Sequence, residues 1–257
     1  MEGIARRKSG QPHEGLEGRR TLVLVPALDA AETIGRVVAD LRRHAPWADV
    51  VVIDNGSTDG TAERARRARA RVLDLPLRLG RGGAIQAGFR YAREHRYDLV
   101  FQVDGDGRHW ARRLASLARP ILAEEADLVV GSRYLSPRGR RRRGVRVIGT
   151  RLLARLMTRM VRQRVTDPMS GFRAAGRRAI ELFAREFPQD CPETLALVLM
   201  WRRGLRAREV RASTRRRRPA VAPVGLWAGL AYLAKVIPAV LMDRLKATVG
   251  SKGEAVR

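Results

Sequence analysis

The sequence has little cysteine and no uninterrupted apolar run long enough to span a membrane. Cys191 is the only cysteine in 257 residues, which excludes a disulfide framework and favours a reducing, cytoplasmic environment. Residues 1–20 are polar and lack the apolar core of a signal peptide, so a disordered arm is expected and secretion is not. Residues 221–245 are mostly apolar, but Lys235 and Pro238 interrupt them. That segment is expected to pack on the core or to lie on a membrane surface or a partner, and a true span is the least favoured outcome.

Acidic residues are scarce relative to basic ones. The chain has 52 Lys and Arg against 26 Asp and Glu, a formal net charge of +26. This balance predicts an anionic partner, whether nucleic acid, an anionic membrane surface or a phosphorylated substrate. Arginine replaces lysine almost everywhere, as is typical of GC-rich coding, so charge alone assigns no function.

Aromatic residues are scarce too, at 5% of the chain. A nucleic-acid-binding protein is a rival hypothesis, because arginine runs at 140–143 and 215–218 would neutralise phosphates. The sequence has no Walker lysine motif, zinc-ligand cluster or RNA-recognition aromatic motif. No specific nucleic-acid partner is therefore expected.

Short apolar runs alternate with amphipathic patterns from Thr21 onward. The period-2 and buried-strand patterns predict strands at 21–26, 49–54, 71–77, 97–104 and 126–133, with a last strand or extended arm at 206–219. Helical spacing predicts helices at 30–45, 57–70, 82–95, 110–125, 147–165 and 192–205, and a turn followed by a helix at 166–186. This alternation predicts an α/β fold with a mainly parallel sheet and helices on both faces. The domain is expected to cover 21–218, with a C-terminal apolar or amphipathic helix and a tail at 219–257.

Three predicted strands close with Pro26, Asp54 and Asp104. Ligands of parallel sheets bind beyond the carboxyl ends of the strands, so a shared pocket is expected at that edge. In "VIDNGSTDGT", the polar run after Asp54 is suited to contact a nucleoside base and ribose, and its "STDGT" part is also an ordinary helix start.

The stretch "VFQVDGDGRH" places Asp104 and Asp106 one residue apart, separated by the small Gly105. Both carboxylates can turn toward a common point and share a divalent cation. Hard oxygen ligands suit Mg²⁺ or Mn²⁺, which keep positions open for the oxygens of a diphosphate. Alone, this pair is also typical of a surface turn, so the prediction depends on its context.

That context is a series of segments in a fixed order between about Thr21 and Arg218. They are "LVLVPALDAAETI", "VVIDNGSTDGT", "LGRGGAIQAGFRYA", "VFQVDGDGRH", "DLVVGSRY", "DPMSGFRAAGRRAI" and "PETLALVLMWRRGLRAREV". Together they resemble the inverting family 2 glycosyltransferases of GT-A fold, in the branch of dolichol-phosphate mannosyltransferases and other polyprenyl-phosphate glycosyltransferases. The resemblance implies metal-dependent transfer of a sugar from a nucleoside diphosphate sugar to an acceptor.

The resemblance also implies roles for individual residues. It implies nucleotide contacts for Pro26, Asp29, Asp54, Asn55, Gly82, Gly83 and Gln86, and metal or diphosphate contacts for Asp104, Asp106 and His109. On the acceptor side it implies roles for Arg133, Asp167, Ser170, Gly171, Phe172, Arg173 and Glu193. The sequence departs from the family in two places: residues 27–30 read "ALDA" where aromatic, Asn and Glu residues are usual, and Asn55 stands where Asp is common. The base, uracil or guanine, therefore stays open.

The acceptor decides which residues carry the chemistry. The oxygen of a polyprenyl phosphate is already an anion and needs only cationic positioning, for which Arg133 and Arg173 are the candidates. A hydroxyl acceptor needs a carboxylate to take its proton, for which Asp167 and Glu193 are the candidates.

A polyprenyl phosphate also implies a membrane. The basic loop 138–143 and the helix after it are expected to hold the protein at the cytoplasmic face of an anionic membrane. A soluble acceptor stays open, because the C-terminal membrane helices of many relatives are missing from this sequence. Nucleotidyl transfer on a similar fold is a further rival, which the "SGFR" and "GSRY" stretches disfavour.

Overall fold

The computed structural model describes residues 15–107, 111–136 and 145–212, together with Pro238. Its strands are β1 (Thr21–Ala27), β2 (Asp49–Asp54), β3 (Arg71–Asp74), β4 (Leu99–Gln102), β5 (Leu128–Ser132), β6 (Arg173–Gly176) and β7 (Ala207–Arg211). Its helices are α1 (Ala31–His44), α2 (Thr61–Arg67), α3 (Gly80–Glu94), α4 (Leu114–Leu122), α5 (Val145–Val161), α6 (Arg177–Arg185) and α7 (Pro192–Arg202).

The strands form one sheet in the order β3-β2-β1-β4-β6-β5-β7. All neighbouring pairs are parallel except those of β6, which runs antiparallel to both β4 and β5. The predicted α/β class with a mainly parallel sheet is confirmed. The prediction of a turn and a helix at 166–186 was wrong at residues 173–176, which form a central strand.

The core is divided between the two faces of the sheet, because neighbouring residues of a strand point to opposite sides. Val23 and Val25 of β1 pack with α1, α2 and α4 on one face. Leu22 and Leu24 pack with α3, α5, α6 and α7 on the other. The apolar residues of α1 recur at helical spacing, which gives that helix a single buried side formed by Ala31, Ile34, Val37, Val38 and Leu41.

The direction of β6 matters for function because it brings a second set of loops to the same edge. The parallel strands β1 to β4 present their carboxyl ends there, with Ala27 opposite Asp54 and Asp54 opposite Asp74. Since β6 is antiparallel, its first residue, Arg173, pairs with Gln102 at the end of β4. The loop that precedes β6 therefore lies beside the ends of β4 and β5.

Several predictions concern segments outside the described residues. These are most of the N-terminal arm, His109, the basic loop 138–143 and, apart from Pro238, the C-terminal segment 219–257. Within the predicted arm, Leu16 is described and is buried in the core on the α1 face. In the part of the chain that is described, no helix is both long enough and apolar enough to cross a bilayer.

Candidate active site

One side of the site, called here the β1–β3 edge, consists of residues 27–30, 54–59 and 75–79. Asp54 is 2% exposed, and its Oδ1 accepts hydrogen bonds from the Ser57 backbone N–H at 3.0 Å and from Ser57 Oγ at 2.5 Å. Asn55 Oδ1 accepts a hydrogen bond from the Leu79 N–H at 2.9 Å. These contacts fix the orientation of both side chains, and they hold the segment after β3 beside the segment after β2.

Asp29 links the segments after β1, β2 and β3. Its Oδ1 accepts from the Thr58 N–H at 3.0 Å, and its Oδ2 pairs with Arg78 Nη2 at 3.1 Å. Its own N–H donates to Ser57 Oγ at 2.9 Å. Its φ of 46° lies in the left-handed region, which non-glycine residues adopt only where surrounding contacts hold them there. Pro26 lies just before this turn, opposite Ile53 in the sheet.

The acidic pair follows β4. The Val103 N–H still donates to the Leu24 carbonyl at 3.0 Å, and the chain then turns through Asp104, Gly105 and Asp106. The Gly105 carbonyl accepts a hydrogen bond from Thr33 Oγ1 at 2.7 Å, which ties the turn to α1. Gly105 is buried, whereas both carboxylates are partly exposed. The turn thus presents two acidic side chains at the common edge of the sheet.

An arginine that the sequence analysis did not single out joins the acidic pair to α7. Arg81, at the start of α3, places Nη2 2.5 Å from Asp104 Oδ1 and hydrogen-bonds through Nε to Glu193 Oε1. Burial by itself would lower the pKa of Arg81, but the attraction and hydrogen bonds of Asp104 and Glu193 outweigh burial and raise it. The guanidinium therefore stays charged and neutralises part of both carboxylates.

Gly171 of the "SGFR" stretch allows this arrangement. A Cβ at position 171 would lie 2.5 Å from Asp104 Oδ1 and 2.8 Å from Arg81 Nη2. Both distances are far inside van der Waals contact, so any side chain here would push the ion pair apart. The resemblance implied a place beside donor and acceptor for Gly171, and in the structure Asp104 and Arg81 pack directly against it.

The other side of the site, called the β5–β6 edge, consists of residues 132–134 and 166–173. Its central contact is a two-fold ion pair: Arg133 Nε lies 2.7 Å from Asp167 Oδ2, and Arg133 Nη2 lies 2.7 Å from Oδ1. Asp167 also accepts the Arg133 backbone N–H at 3.0 Å and is fully buried, whereas the Arg133 side chain is 26% exposed. Burial would lower the pKa of Arg133, but the hydrogen bonds and charge of Asp167 raise it. Asp167 thus holds a permanently charged arginine at the surface of the site.

Glu209 of β7 holds the backbone of the loop that carries Asp167. Its Oε1 accepts the backbone N–H groups of Thr166 and Asp167, each at 2.9 Å, and its Oε2 accepts the Thr166 hydroxyl at 2.5 Å. Thr166 Oγ1 also lies 2.6 Å from Ser132 Oγ. Burial raises the pKa of Glu209, although these hydrogen bonds act in the opposite direction.

Arg173 is buried rather than presented at the open edge. It is 4% exposed, and its guanidinium donates to the carbonyls of Ser170 at 2.8 Å, Pro168 at 3.1 Å and Glu193 at 2.6 Å. These bonds fasten the loop before β6 to the first turn of α7. The structure thus gives Arg173 a bracing position behind the site.

The sequence was compared with known proteins. A family model described as "Glycosyl transferase family 2" matches residues 22–183, which is more than half of the chain. The chain belongs to glycosyl transferase family 2. It is accordingly a nucleotide-sugar-dependent glycosyltransferase. The predicted similarity to the polyprenyl-phosphate branch is confirmed, because relatives of that branch are among the similar proteins.

Individual relatives of this family 2 glycosyltransferase act on different acceptors. The undecaprenyl-phosphate mannosyltransferase of Micrococcus luteus is 33% identical over 178 residues, 65% of this chain and 72% of that protein. A structure of glucosyl-3-phosphoglycerate synthase from Mycobacterium tuberculosis with phosphoglyceric acid is similar with a TM-score of 0.65 and 25% identity, covering 91% and 83% of the two chains. The same enzyme with Mn²⁺, UDP and phosphoglyceric acid gives a TM-score of 0.63 at 24% identity, over 93% and 81%, a likeness of fold.

The acidic pair of the glycosyltransferase fits a divalent metal that a diphosphate helps to bind. Asp104 already has a positive neighbour in Arg81. Within the described ranges, no group of three or more His, Cys, Asp and Glu side chains comes together as a metal-ligand set. The carboxylates of Asp104 and Asp106 would thus be joined by diphosphate oxygens and water, which is how Mg²⁺ is commonly held at phosphate-handling sites.

The structure brings most of the predicted residues to one edge of the sheet. Gln86 lies to the side: its Nε2 donates to the Arg185 carbonyl at 3.2 Å and its Oε1 accepts from Gln189 Nε2 at 3.1 Å, so it joins α3 to the end of α6 and the segment after it. Gly83 packs between Leu79 of the β1–β3 edge and Gln189. Sequence reasoning missed Arg81, although its place among the glycines of "LGRGGA" was a signal, and it missed Glu209, for which β7 offered none.

Proposed function

We propose that this glycosyltransferase transfers a sugar, with inversion at the anomeric carbon, from a nucleoside diphosphate sugar to the phosphate oxygen of a polyprenyl phosphate. Asp104 and Asp106 hold Mg²⁺ or Mn²⁺ with the donor diphosphate. Asp29, Asp54 and Asn55 contact the nucleoside.

One observation carries the choice of acceptor. Both carboxylates that could take a proton from a hydroxyl acceptor are already paired with arginines. Asp167 is fully buried under Arg133, and Glu193, with a side chain 11% exposed, is hydrogen-bonded to Arg81. A buried carboxylate whose oxygens already accept hydrogen bonds from a guanidinium is poorly placed to reach the proton of an incoming hydroxyl. This arrangement suits an acceptor that is already an anion.

Arg133 is placed to receive such an anion. Asp167 takes Nε and Nη2 of its guanidinium, while in the described part of the chain no hydrogen-bond acceptor contacts Nη1. An arginine fixed by a buried carboxylate loses little side-chain entropy when it binds a phosphate. Arg133 therefore positions the attacking oxygen without further chemistry.

The donor is held from the opposite side. The fixed carbonyl and carboxylate oxygens of Asn55 and Asp54 are acceptors for base and ribose donors. When bound, the metal ion supplies positive charge that stabilises the leaving diphosphate. The Mn²⁺ and UDP found together in the synthase structure support such a site, and the undecaprenyl-phosphate acceptor in the Micrococcus enzyme's name supports the lipid.

Helix α5 offers a surface for the membrane in which the acceptor lies. Ile148 and Leu152, one helical turn apart, are 65% and 55% exposed. Arg151 and Arg155 are exposed beside them. Exposed apolar side chains flanked by cations are typical of helices that rest on anionic lipid.

The acceptor is tested by measuring nucleoside diphosphate release from UDP- and GDP-sugars with Mn²⁺ or Mg²⁺. The acceptor arms are a short polyprenyl phosphate, 3-phosphoglycerate and no acceptor. Release that requires the lipid phosphate and falls about 100-fold or more in Asp106→Asn is expected. The Glu63→Gln variant, which loses an exposed carboxylate paired with Arg67 on α2, should keep wild-type activity. Release that requires phosphoglycerate instead would overturn the lipid assignment and leave the metal site intact.

The membrane surface is tested by sedimentation with vesicles that contain anionic phospholipid. Ile148→Ser/Leu152→Ser should bind several-fold less than the wild type at low salt. Leu77→Ser is the control, since Leu77 is 70% exposed but lies at the β1–β3 edge. Equal binding by all three proteins would exclude α5 as the lipid-facing surface.

A further inference from the structure

Arg81 is paired with Asp104, one of the two carboxylates that would hold the proposed metal. Its Nη2 lies 2.5 Å from Asp104 Oδ1, while Nε bonds to Glu193 on α7. The Arg81 side chain is 42% exposed, against 24% for Asp104 and 11% for Glu193. The guanidinium is thus the most accessible member of the group, and Glu193 is its more deeply buried anchor.

Asp104 has little room to accept a second cation while Arg81 is in place. Gly171 lies against one side of the pair, since a single added carbon there would lie 2.5 Å and 2.9 Å from the two Asp104 carboxylate oxygens and 2.8 Å from Arg81 Nη2. A guanidinium and a divalent cation on the same carboxylate would also repel each other at a separation of a few ångströms. One positive group must withdraw before the other binds fully.

The backbone that carries Arg81 is fixed, so any withdrawal is a movement of its side chain. A Cβ on the neighbouring Gly82 would lie 2.3 Å from the Pro188 carbonyl oxygen and 2.5 Å from the Gln189 Cα. This close approach locks the first turn of α3 against the segment before α7. Arg81 can therefore release Asp104 by rotating about its own bonds while it keeps its bond to Glu193.

We propose that Arg81 is a positioning residue that holds Asp104 in the free enzyme and retreats to Glu193 when the metal arrives together with the donor diphosphate. This inference rests on the proposed function. Metal alone would face the positive charge of Arg81, whereas a metal accompanied by a diphosphate brings compensating negative charge. Metal binding thus becomes dependent on the nucleotide, and the acidic pair is not occupied by free divalent cations.

The test measures Mn²⁺ affinity directly, by the electron paramagnetic resonance signal of free Mn²⁺, with and without UDP or GDP. In the wild type, affinity without nucleotide should be weak and should rise strongly when nucleotide is added. In Arg81→Gln, affinity without nucleotide should be about tenfold tighter, as expected for removing a unit charge a few ångströms from a divalent ion. The further gain from nucleotide should shrink correspondingly.

Two controls make the outcome specific. Arg78→Gln removes the same charge near the site but from a pair with Asp29, so its Mn²⁺ affinity in the absence of nucleotide should change less than about twofold. Arg81→Lys keeps the charge but cannot bridge both carboxylates, so its affinity should fall between the wild type and Arg81→Gln. Circular dichroism melting shows whether each variant is folded.

The remaining outcomes separate the two proposals. Mn²⁺ binding that Asp106→Asn abolishes, but that is equally tight in wild type and Arg81→Gln, overturns the role of Arg81 and leaves the proposed function standing. An equal gain in Arg78→Gln and Arg81→Gln also overturns it, because the effect would then be general charge. No Mn²⁺ binding by any variant, with or without nucleotide, overturns the metal site and the role of Arg81 together.

Discussion

Each edge of the site contains one fully buried carboxylate, and the two are held by different means. At the β1–β3 edge, Asp54 is held by the N–H and hydroxyl of Ser57, three residues away in the chain. At the β5–β6 edge, Asp167 is held by the guanidinium of Arg133, which lies 34 residues away. In the first arrangement the carboxylate is bonded to neutral donors, and in the second it is bonded to a cation.

This difference matches the opposite demands of the two substrates. A nucleoside presents N–H and O–H donors, which a fixed carboxylate or amide oxygen accepts. A phosphate acceptor presents only negative oxygen, which requires positive charge held in place. The comparison predicts that disrupting the β5–β6 edge affects stability and acceptor use, whereas disrupting the β1–β3 edge affects donor use.

The largest effect is expected from Asp167→Asn. Removing the charge of a fully buried partner leaves Arg133 without its counter-charge, and breaking such a pair typically costs about 3 kcal/mol or more of unfolding free energy. Urea unfolding measures the loss, and the KM for the acceptor should rise while the KM for the donor changes little.

The matched control for this variant is Glu186→Gln. It breaks an ion pair with Arg203 in which both side chains are about half exposed, so it should cost less than about 1 kcal/mol. Equal losses in the two variants would mean that the buried pair contributes no more than a surface one.

An intermediate effect is expected from Ser57→Ala at the β1–β3 edge. The change removes the hydroxyl that bonds to both Asp54 and the Asp29 N–H, and a hydrogen bond to a charged group contributes about 1.5 to 3 kcal/mol. Because Asp54 keeps the Ser57 backbone N–H, the stability loss should lie at the lower end of that range. Steady-state kinetics should show a higher donor KM, and an unchanged donor KM with a higher acceptor KM would contradict the division between the edges.

The sequence predicts the β1–β3 edge better than the β5–β6 edge, for a physical reason. The β1–β3 edge depends on the carboxyl ends of parallel strands, and alternating strands and helices bring Asp54 and Asp104 together whatever the details of packing. The β5–β6 edge depends on β6, whose "RAAG" sequence contains no β-branched or aromatic residue. Residues 173–176 form a strand because they pair with β4 and β5. Those are tertiary contacts, which the local sequence does not reveal.

The dependence on tertiary contacts also explains why the roles of two arginines were not predicted. Arg173, in the "SGFR" stretch, was a candidate for acceptor binding, yet it braces three backbone carbonyls behind the site. Arg81 was overlooked, yet it contacts the acidic pair, because α7 brings Glu193 to it from 112 residues away. A sequence shows that an arginine is present, whereas the packing of helices decides whether its charge faces substrate or backbone.

The smallest effect, which sharpens the comparison, concerns the pH dependence of Glu209. This carboxylate is held by N–H and hydroxyl donors, as Asp54 is, but it lies on β7 beside the β5–β6 edge, where burial raises its pKa above the ordinary value of 4.5. The folded state thus binds the proton more tightly than the unfolded state does. The stability contributed by this group is present below about pH 4.5 and is lost as the pH rises through the raised pKa.

Glu209→Gln cannot titrate, so it isolates that contribution. The unfolding free energy of the wild type minus that of Glu209→Gln should decrease between about pH 4 and about pH 7, as measured by urea unfolding at several pH values. Asp59 and Asp98, whose pKa values are lowered in the folded protein, act in the opposite direction, but they are present in both proteins and cancel in the difference. A difference that stays flat or grows with pH would mean that the hydrogen bonds from residues 166 and 167 outweigh burial in setting the pKa of Glu209.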